Sequence, residues 1–451
     1  MIGEDQAKRL AEQALELCLP DRAEVALKAN ASQLTRFAEN TVHQNVLESD
    51  ARVNIRIFQG ERVGSAMTNR LDPAGLAAAV QKARLYASQS AADPYLPALI
   101  RQTPPAALHS FDPETANHSP EARAEAVGEL CRRAAGGGLR ASGAFRVAAE
   151  EMAAANSEGT FSYHAGTTAD FQTVVMADGS SGWAHAAHWK AGEISVPDLG
   201  QEAIRKAVDG RGARSFEPQT LTVVLDPYAT ADLVAMLNLV GMGAQSVIKG
   251  QSWMLDRVGK QAMSEAVSIW DDGRDPEGLP MVFDCEGVPK RHLDIVRNGV
   301  VRGPVFDGKT AKRLGAASTG HALSPFLPPL ARGFGPLAMN LRMAAGDAAT
   351  EELIASTEKG LYITRFHYTR TVHPRDCVVT GMTRDGVFLI ERGRLAYPIK
   401  DLRFTQSYVG ALNTVERIGS ETRLLSDDFI GMSVRAPAIK IKEFRFTGAT
   451  A

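Results

Sequence analysis

The chain has no excess of either charge: 50 Lys and Arg stand against 52 Asp and Glu, a formal net charge of −2 over 451 residues. That balance provides no general attraction to nucleic acid or to an anionic membrane, and it argues against direct DNA contact. Cysteine is scarce. Cys18, Cys131, Cys285 and Cys377 lie far apart with no CxxC pair, which excludes a disulfide framework and fits a reducing compartment. Long apolar runs are missing as well: the stretch 231–240 contains polar residues and falls short of the roughly 20 that a membrane helix needs. The N-terminus lacks the basic segment and apolar core of a secretory leader. Glycine (40) and proline (22) are too few and too aperiodic for a collagenous or disordered chain. The expectation is a cytoplasmic globular protein of several domains, without membrane partners.

Familiar catalytic motifs are absent too. None of the ten histidines is followed by Glu, so there is no HExxH or HExxxH helix to hold zinc between two imidazoles beside a water-activating carboxylate. Neither GxxxxGK[ST] nor GxSxG occurs. Gly241-Met242-Gly243 has half of a dinucleotide loop but follows a helix, where such a loop needs a strand. His185 and His188, three apart on a strand, point to opposite faces and read as core or rim residues beside Trp183 and Trp189. The run Asp271-Asp272-Gly273-Arg274-Asp275-Pro276 lacks EF-hand spacing and reads as a solvated turn. His373 and Cys377, with Asp376 between them, would share a face of a helix begun by Pro374, but no third ligand is near. Cys131 and Cys285 read as small buried apolar residues.

What is present is a sequence of α+β units. An amphipathic helix (Ala7, Leu10, Ala11, Ala14, Leu15, Cys18) precedes strand-like runs at 23–29, 34–38, 41–47, 52–58 and 63–68. A helix at 74–87 then starts after Asp72-Pro73. Prolines crowd 93–120, which reads as a linker. A helix at 121–135, strands at 141–152, 157–164, 168–177 and 182–190, and a helix at 199–209 repeat the first unit's shape without repeating its sequence. From residue 216 a strand at 221–225 and a helix at 228–240 lead into Gly-punctuated strands at 267–270, 281–283, 361–366, 378–382, 386–391, 394–398 and 437–446. Helices at 350–356 and 408–418 interrupt them. The expected fold is α+β: an N-terminal domain (1–92), the linker (93–120), a central region (121–215) and a large, mostly antiparallel C-terminal β domain (216–451).

Several stretches, in order along nearly the whole chain, resemble the TldD/PmbA family, also called modulators of DNA gyrase. They include Thr35-Arg36-Phe37-Ala38-Glu39-Asn40, Gly60-Glu61-Arg62-Val63-Gly64-Ser65, Asn156-Ser157-Glu158-Gly159 and Val224-Leu225-Asp226-Pro227. Further on come Lys249-Gly250-Gln251-Ser252-Trp253-Met254, Phe283-Asp284-Cys285-Glu286-Gly287, Ser318-Thr319-Gly320, Gly386-Val387-Phe388-Leu389 and Pro398-Ile399-Lys400. The resemblance implies three consecutive regions and dimers whose C-terminal β domains enclose a cleft for extended peptide. It further implies, for the TldD branch, a zinc metalloprotease with an HExxxH helix after the first C-terminal strand and a late Cys as third ligand.

In this chain the matching helix carries Leu233, Met236, Leu237 and Asn238 and neither His nor Glu, and no Cys follows Ile418. The resemblance therefore implies the PmbA/TldE branch: no catalytic residue, no metal ligand and no cofactor of its own, with zinc held by a TldD-like partner. Such a chain is expected to be inactive alone, since water at neutral pH is a poor nucleophile without a Lewis acid. Thr380, Gly381, Met382, Thr383 and Arg384 are candidates for lining the peptide cleft, because their strand is β-rich and Gly381 permits close backbone approach. The same residues also fit an ordinary buried strand. Two other readings stay open: a homodimeric regulatory or binding protein, and a stand-alone metallohydrolase drawing ligands from His185, His188, His373 or Cys377. The sequence leaves the peptide's fate open among maturation, toxin processing and general turnover.

Overall fold

The computed structural model describes residues 1–427 and 430–449. The fold is α+β. Its N-terminal half runs α1 (Glu4–Cys18), β1 (Arg22–Ala38), β2 (Thr41–Gln59), β3 (Arg62–Thr68), α2 (Pro73–Gln89), a single turn α3 (Pro113–Ala116), α4 (Pro120–Gly136), β4 (Arg140–Asn156), β5 (Phe161–Ala177), β6 (Ser180–His188) and α5 (Val196–Asp209). The six strands form one antiparallel sheet in the order β3-β2-β1-β4-β5-β6. The two units thus meet along β1 and β4, a joint that the sequence pattern did not reveal. Runs read as separate short strands are continuous in β1, β2 and β5. The turn before β5 comes later than those expected strands place it, at 157–160, where Asn156 Oδ1 accepts the main-chain N–H of Glu158 (3.0 Å) and Thr160 (3.1 Å).

The repetition of shape fixes equivalent positions, and Arg22/Arg140 and Gly64/Gly182 keep the same residue. Arg22 and Arg140, Arg62 and Ser180, and Gly64 and Gly182 hold equivalent places in the two units, each pair 118 residues apart. Across the seam Ala31 faces Ala149, again 118 apart, so the register is two-fold symmetric. The two glycines serve one purpose. A Cβ on Gly64 would lie 2.1 Å from the Ala83 carbonyl oxygen and 2.2 Å from the Ala87 nitrogen, and one on Gly182 would lie 2.1 Å from Ala203 O and 2.6 Å from Ala207 N. Each bare strand position therefore lets a helix, α2 or α5, seat directly on the sheet through an Ala-x3-Ala pair. Odd-numbered residues of the central strands (Leu27, Phe145, Val147, Phe171) face these helices. Even-numbered ones (Lys28, Arg146, Glu150, Met152, His164) face the C-terminal half, following the two-residue period of a strand.

The C-terminal half contains β7 (Thr220–Leu225), α6 (Pro227–Leu237), β8 (Ile269–Asp271), β9 (Leu293–Arg297), β10 (Val300–Val301), β11 (Asn340–Met343), β12 (Lys359–His373), β13 (Val378–Glu391), β14 (Arg394–Pro398), β15 (Leu402–Ser407), β16 (Val415–Ser426) and β17 (Ser433–Ala449). Pairing is mostly antiparallel, with β12–β7 and β11–β17 parallel. Because β7 pairs with both β12 and β17, the strands β7, β12, β13, β15 and β17 close into a ring. Its core holds Phe366, Phe404 and Phe444, with ring centroids 4.6–5.6 Å apart. Two expected elements differ. Residues 281–283 form no strand, only the isolated pairing of Phe283 with Pro289. The helix at 408 ends at Asn413, because Val415 and Ile418 pair with Ile441 and Ile439 of β17. No helix among the described residues is long and apolar enough to cross a membrane. All four cysteines are free thiols; Cys131 is on the buried face of α4, and Cys285 is half-buried.

Candidate functional site

Helix α6 begins where Asp226 accepts the N–H of Tyr228 (3.2 Å) and Pro227 occupies the first turn. It is buried nearly all round: Leu233, Leu237 and Asn238 are inaccessible and Met236 almost so. The Asn238 amide is fully committed. Its Nδ2 donates to Ala338 O (2.8 Å) and lies 3.1 Å from the Met432 thioether, while its Oδ1 accepts the Ala338 N–H (3.2 Å). Zinc is held by imidazole, thiolate or carboxylate. Here the side chains are alkyl groups, an amide with both ends engaged and a thioether, so the residues at this place do not fit a zinc ion. Among the described residues no three His, Cys, Asp or Glu side chains come together as a metal site. A π-helical turn, Asn238–Met242, continues α6, and Gly241 makes room for Trp253, whose indole N–H donates to Leu237 O (2.8 Å). Gly241 therefore serves packing.

The scattered histidines stay apart. His185 bonds through Nε2 to Asp170 (2.6 Å), which also accepts from Ser426, whereas His188 accepts the Lys190 N–H (2.9 Å) and stacks on Trp189. His373 is exposed beside Asp376 (3.2 Å), in a 3-10 turn where a helix was expected. Cys377 is buried, and desolvation pushes its thiol far above the range in which a thiolate ligand forms. The run at 271–276 is not a solvated turn at its start. Asp271 is inaccessible, closing β8, and accepts from Asn340 N (2.6 Å), His321 Nε2 (3.0 Å) and Lys290 Nζ (3.5 Å). Burial alone would raise this carboxyl; Lys290 and His321 overcome that and hold it well below the usual range.

The cleft candidates on β13 occupy the middle of the sheet. Thr380 and Met382 pair with both β12 and β15, so their strand has no free edge and cannot donate main-chain hydrogen bonds to a peptide. Gly381 packs beneath the Phe404 ring, and Thr383 is buried, accepting the Leu402 N–H (2.9 Å). Thr380 donates to Phe404 O (2.9 Å), while Arg384 is exposed. At these five positions only outward side chains could reach another molecule.

A cavity of about 270 Å³ lies elsewhere, between the even-numbered face of the N-terminal sheet and loops of the C-terminal half. Met152, Met281, Leu323, Phe326, Leu327 and Met339 form apolar walls, and Asp284, Lys290 and His321 supply polar groups. Burial pushes the Asp284 carboxyl up to about 6, against three main-chain donors: Ala322 (2.8 Å), Val288 (3.0 Å) and Glu286 (3.0 Å). Burial, then Lys290, lowers the pKa of His321, which bridges Asp271 and Thr319 (2.8 Å). Burial, with Asp284 beside it, pushes the Cys285 thiol up to about 12, so it is no nucleophile at neutral pH. The arrangement suits binding rather than bond cleavage. It also adjoins α6: Met339 and Gly431 line the cavity, and their neighbours Ala338 and Met432 hold Asn238. Sequence reasoning missed this cavity; its one local signal is the proline-flanked apolar loop Ser324-Pro325-Phe326-Leu327-Pro328.

Comparison with known proteins agrees with the fold. Residues 218–448 match the profile of the PmbA/TldA metallopeptidase C-terminal domain, and residues 23–87 match PmbA/TldA metallopeptidase domain 1. The chain is 25% identical to the metalloprotease PmbA of Escherichia coli O157:H7 over 98% of both chains. It is 24% identical to a metalloprotease TldD homolog of Haemophilus influenzae over 57% of this chain and 54% of that protein. The crystal structure of TldE from Thermococcus kodakarensis superposes with a TM-score of 0.87 at 19% identity, covering 98% of this chain and 100% of that one. A putative modulator of a DNA gyrase from Thermotoga maritima superposes with a TM-score of 0.85 at 17% identity, with the same coverage. With matched profiles covering more than half its length, the chain belongs to the TldD/PmbA family.

Proposed function

We propose that this chain is a TldE/PmbA-like, non-catalytic subunit of a cytoplasmic heteromeric metallopeptidase. In this reading a TldD-like partner supplies the zinc, and this chain shapes the cleft that holds extended peptide for proteolysis or maturation. One observation carries the reading: at the place where the resemblance puts a zinc-binding helix, α6 presents Leu233 and an Asn238 amide locked to Ala338 and Met432. Without a Lewis acid to lower its pKa, water there attacks a peptide bond too slowly to matter. The cavity beside α6 supports a binding role and offers no activated nucleophile among the described residues.

The test is co-expression with a TldD-like subunit from the same source. The two chains are expected to co-purify, and the partner's cleavage of an unstructured peptide is expected to fall at least tenfold when this chain is omitted. Isolated, this chain is expected to leave the peptide intact with or without added zinc. Failure to associate with unchanged cleavage by the partner, or chelator-sensitive cleavage by this chain alone, overturns the proposal.

A further inference from the structure

We infer that the cavity between the two halves is a specificity pocket for one bulky apolar side chain of a bound peptide, aromatic or leucine-like. The inference rests on the peptide-binding reading and assigns the site and the substrate class. The walls carry the first argument. Met281, Leu323, Phe326, Leu327 and Met339 are only half-buried although they line a recess, so part of their apolar surface has no protein cover. An apolar guest would remove that surface from water. Size is the second. An apolar protein cavity of about 150 Å³ takes benzene, and about 270 Å³ leaves room for an indole or phenyl group on its stem. Three methionines in the wall (Met152, Met281, Met339) let it adapt to differing shapes.

Charge is the third. The cations at the wall already have partners: Lys28 pairs with Glu150 (3.1 Å), Arg146 with Glu150 (4.0 Å) and Lys290 with Asp271 (3.5 Å). An anionic guest would lose its hydration without gaining a free counter-ion. The surroundings then favour a side chain attached to a peptide over a free apolar molecule. Lys28 and Phe326 are shared with a second, polar recess of about 190 Å³ that also includes Asn30, Asp50 and Arg52. There Asn30 Oδ1 has no hydrogen-bond partner but is itself covered, so a peptide N–H reaches it only when the Asn30 side chain turns into the recess. A polar recess adjoining an apolar pocket matches a main chain with one side chain turned inward.

The experiment uses the purified full chain and a dye-labelled hexapeptide varied at a single position among Phe, Leu, Ser and Glu, read by fluorescence anisotropy. The Phe and Leu peptides are expected to bind at least tenfold tighter than the Ser and Glu peptides. In Leu323→Trp and Leu327→Trp, which fill the pocket from a half-buried loop, the preference is expected to fall below threefold; melting temperature identifies the variants that remain folded. Equal binding of the Phe and Ser peptides by the wild-type chain, including no binding of either, overturns the inference. So does an unchanged preference in a folded Trp variant. If the preference is absent while a TldD-like partner's cleavage still depends on this chain, the pocket assignment alone falls; if that dependence is absent too, the subunit reading falls with it.

Discussion

Asp232 stands next to Leu233 on α6, in the place where a metallopeptidase helix would be most polar. Its carboxylate accepts from Thr369 Oγ1 (3.1 Å) and Tyr408 OH (3.5 Å). Burial pushes its pKa up to about 6, and the two hydrogen bonds only partly oppose that. The ordinary aspartate value is about 3.9. Between those pH values the folded chain keeps a proton that the unfolded chain has lost, so Asp232 favours folding at low pH and this advantage disappears as pH rises through 6. Asp232→Asn is expected to leave stability unchanged near pH 4 and to raise it at pH 7–8 by on the order of 1–2 kcal/mol, seen as a higher urea midpoint. At this scale the sequence was partly legible. The missing ligands at Leu233 and Asn238 could be read directly, because a metal helix requires specific residue types. Asp271 could not, because its environment comes from Lys290 and His321, distant in sequence and brought together only by the fold.

Helices α2 and α5 each seat on an edge strand through a glycine and two alanines, and this contact is sharp enough to test. Gly64→Val or Gly182→Val drives a side chain into the backbone of the facing helix, where no rotamer relieves the clash. Each is expected to cost on the order of 3 kcal/mol, read as a lowered denaturant midpoint, whereas Gly60→Ala, at a turn open to solvent, is expected to cost less. Most elements were legible from periodicity and caps; Asp72-Pro73 marks a helix start that the structure keeps, whereas Ser119-Pro120, read as the end of the linker, in fact caps and opens α4. The long strands were not. Asn30-Ala31-Ser32-Gln33 reads as a break, yet β1 continues through it because β2 and β4 pair with it on both sides, and ladder hydrogen bonds there outweigh β propensity.

Across the whole molecule the two halves are joined by buried charges. Lys206 of α5 sits between Glu202 (2.8 Å) and Asp226 (3.4 Å), the residue that caps α6, and Arg423 of β16 reaches back to Glu202 (2.8 Å). Lys206→Met leaves Asp226 buried without its cation and is expected to cost about 3–5 kcal/mol. Adding Asp226→Asn is expected to recover more than half of that loss, with chemical denaturation as the measurement. The large-scale plan was legible as α+β from the alternation of helices and meanders, but the closed ring and the shared sheet depend on pairings between residues more than 100 positions apart. The two-fold alignment of Ala31 against Ala149 has a consequence for assembly. It is the arrangement two identical copies of one helix-and-three-strand unit would adopt on meeting edge to edge. The amino-terminal layer therefore has the form of two like units joined edge to edge within one chain, and a fragment holding one copy would present a naked border to its own kind.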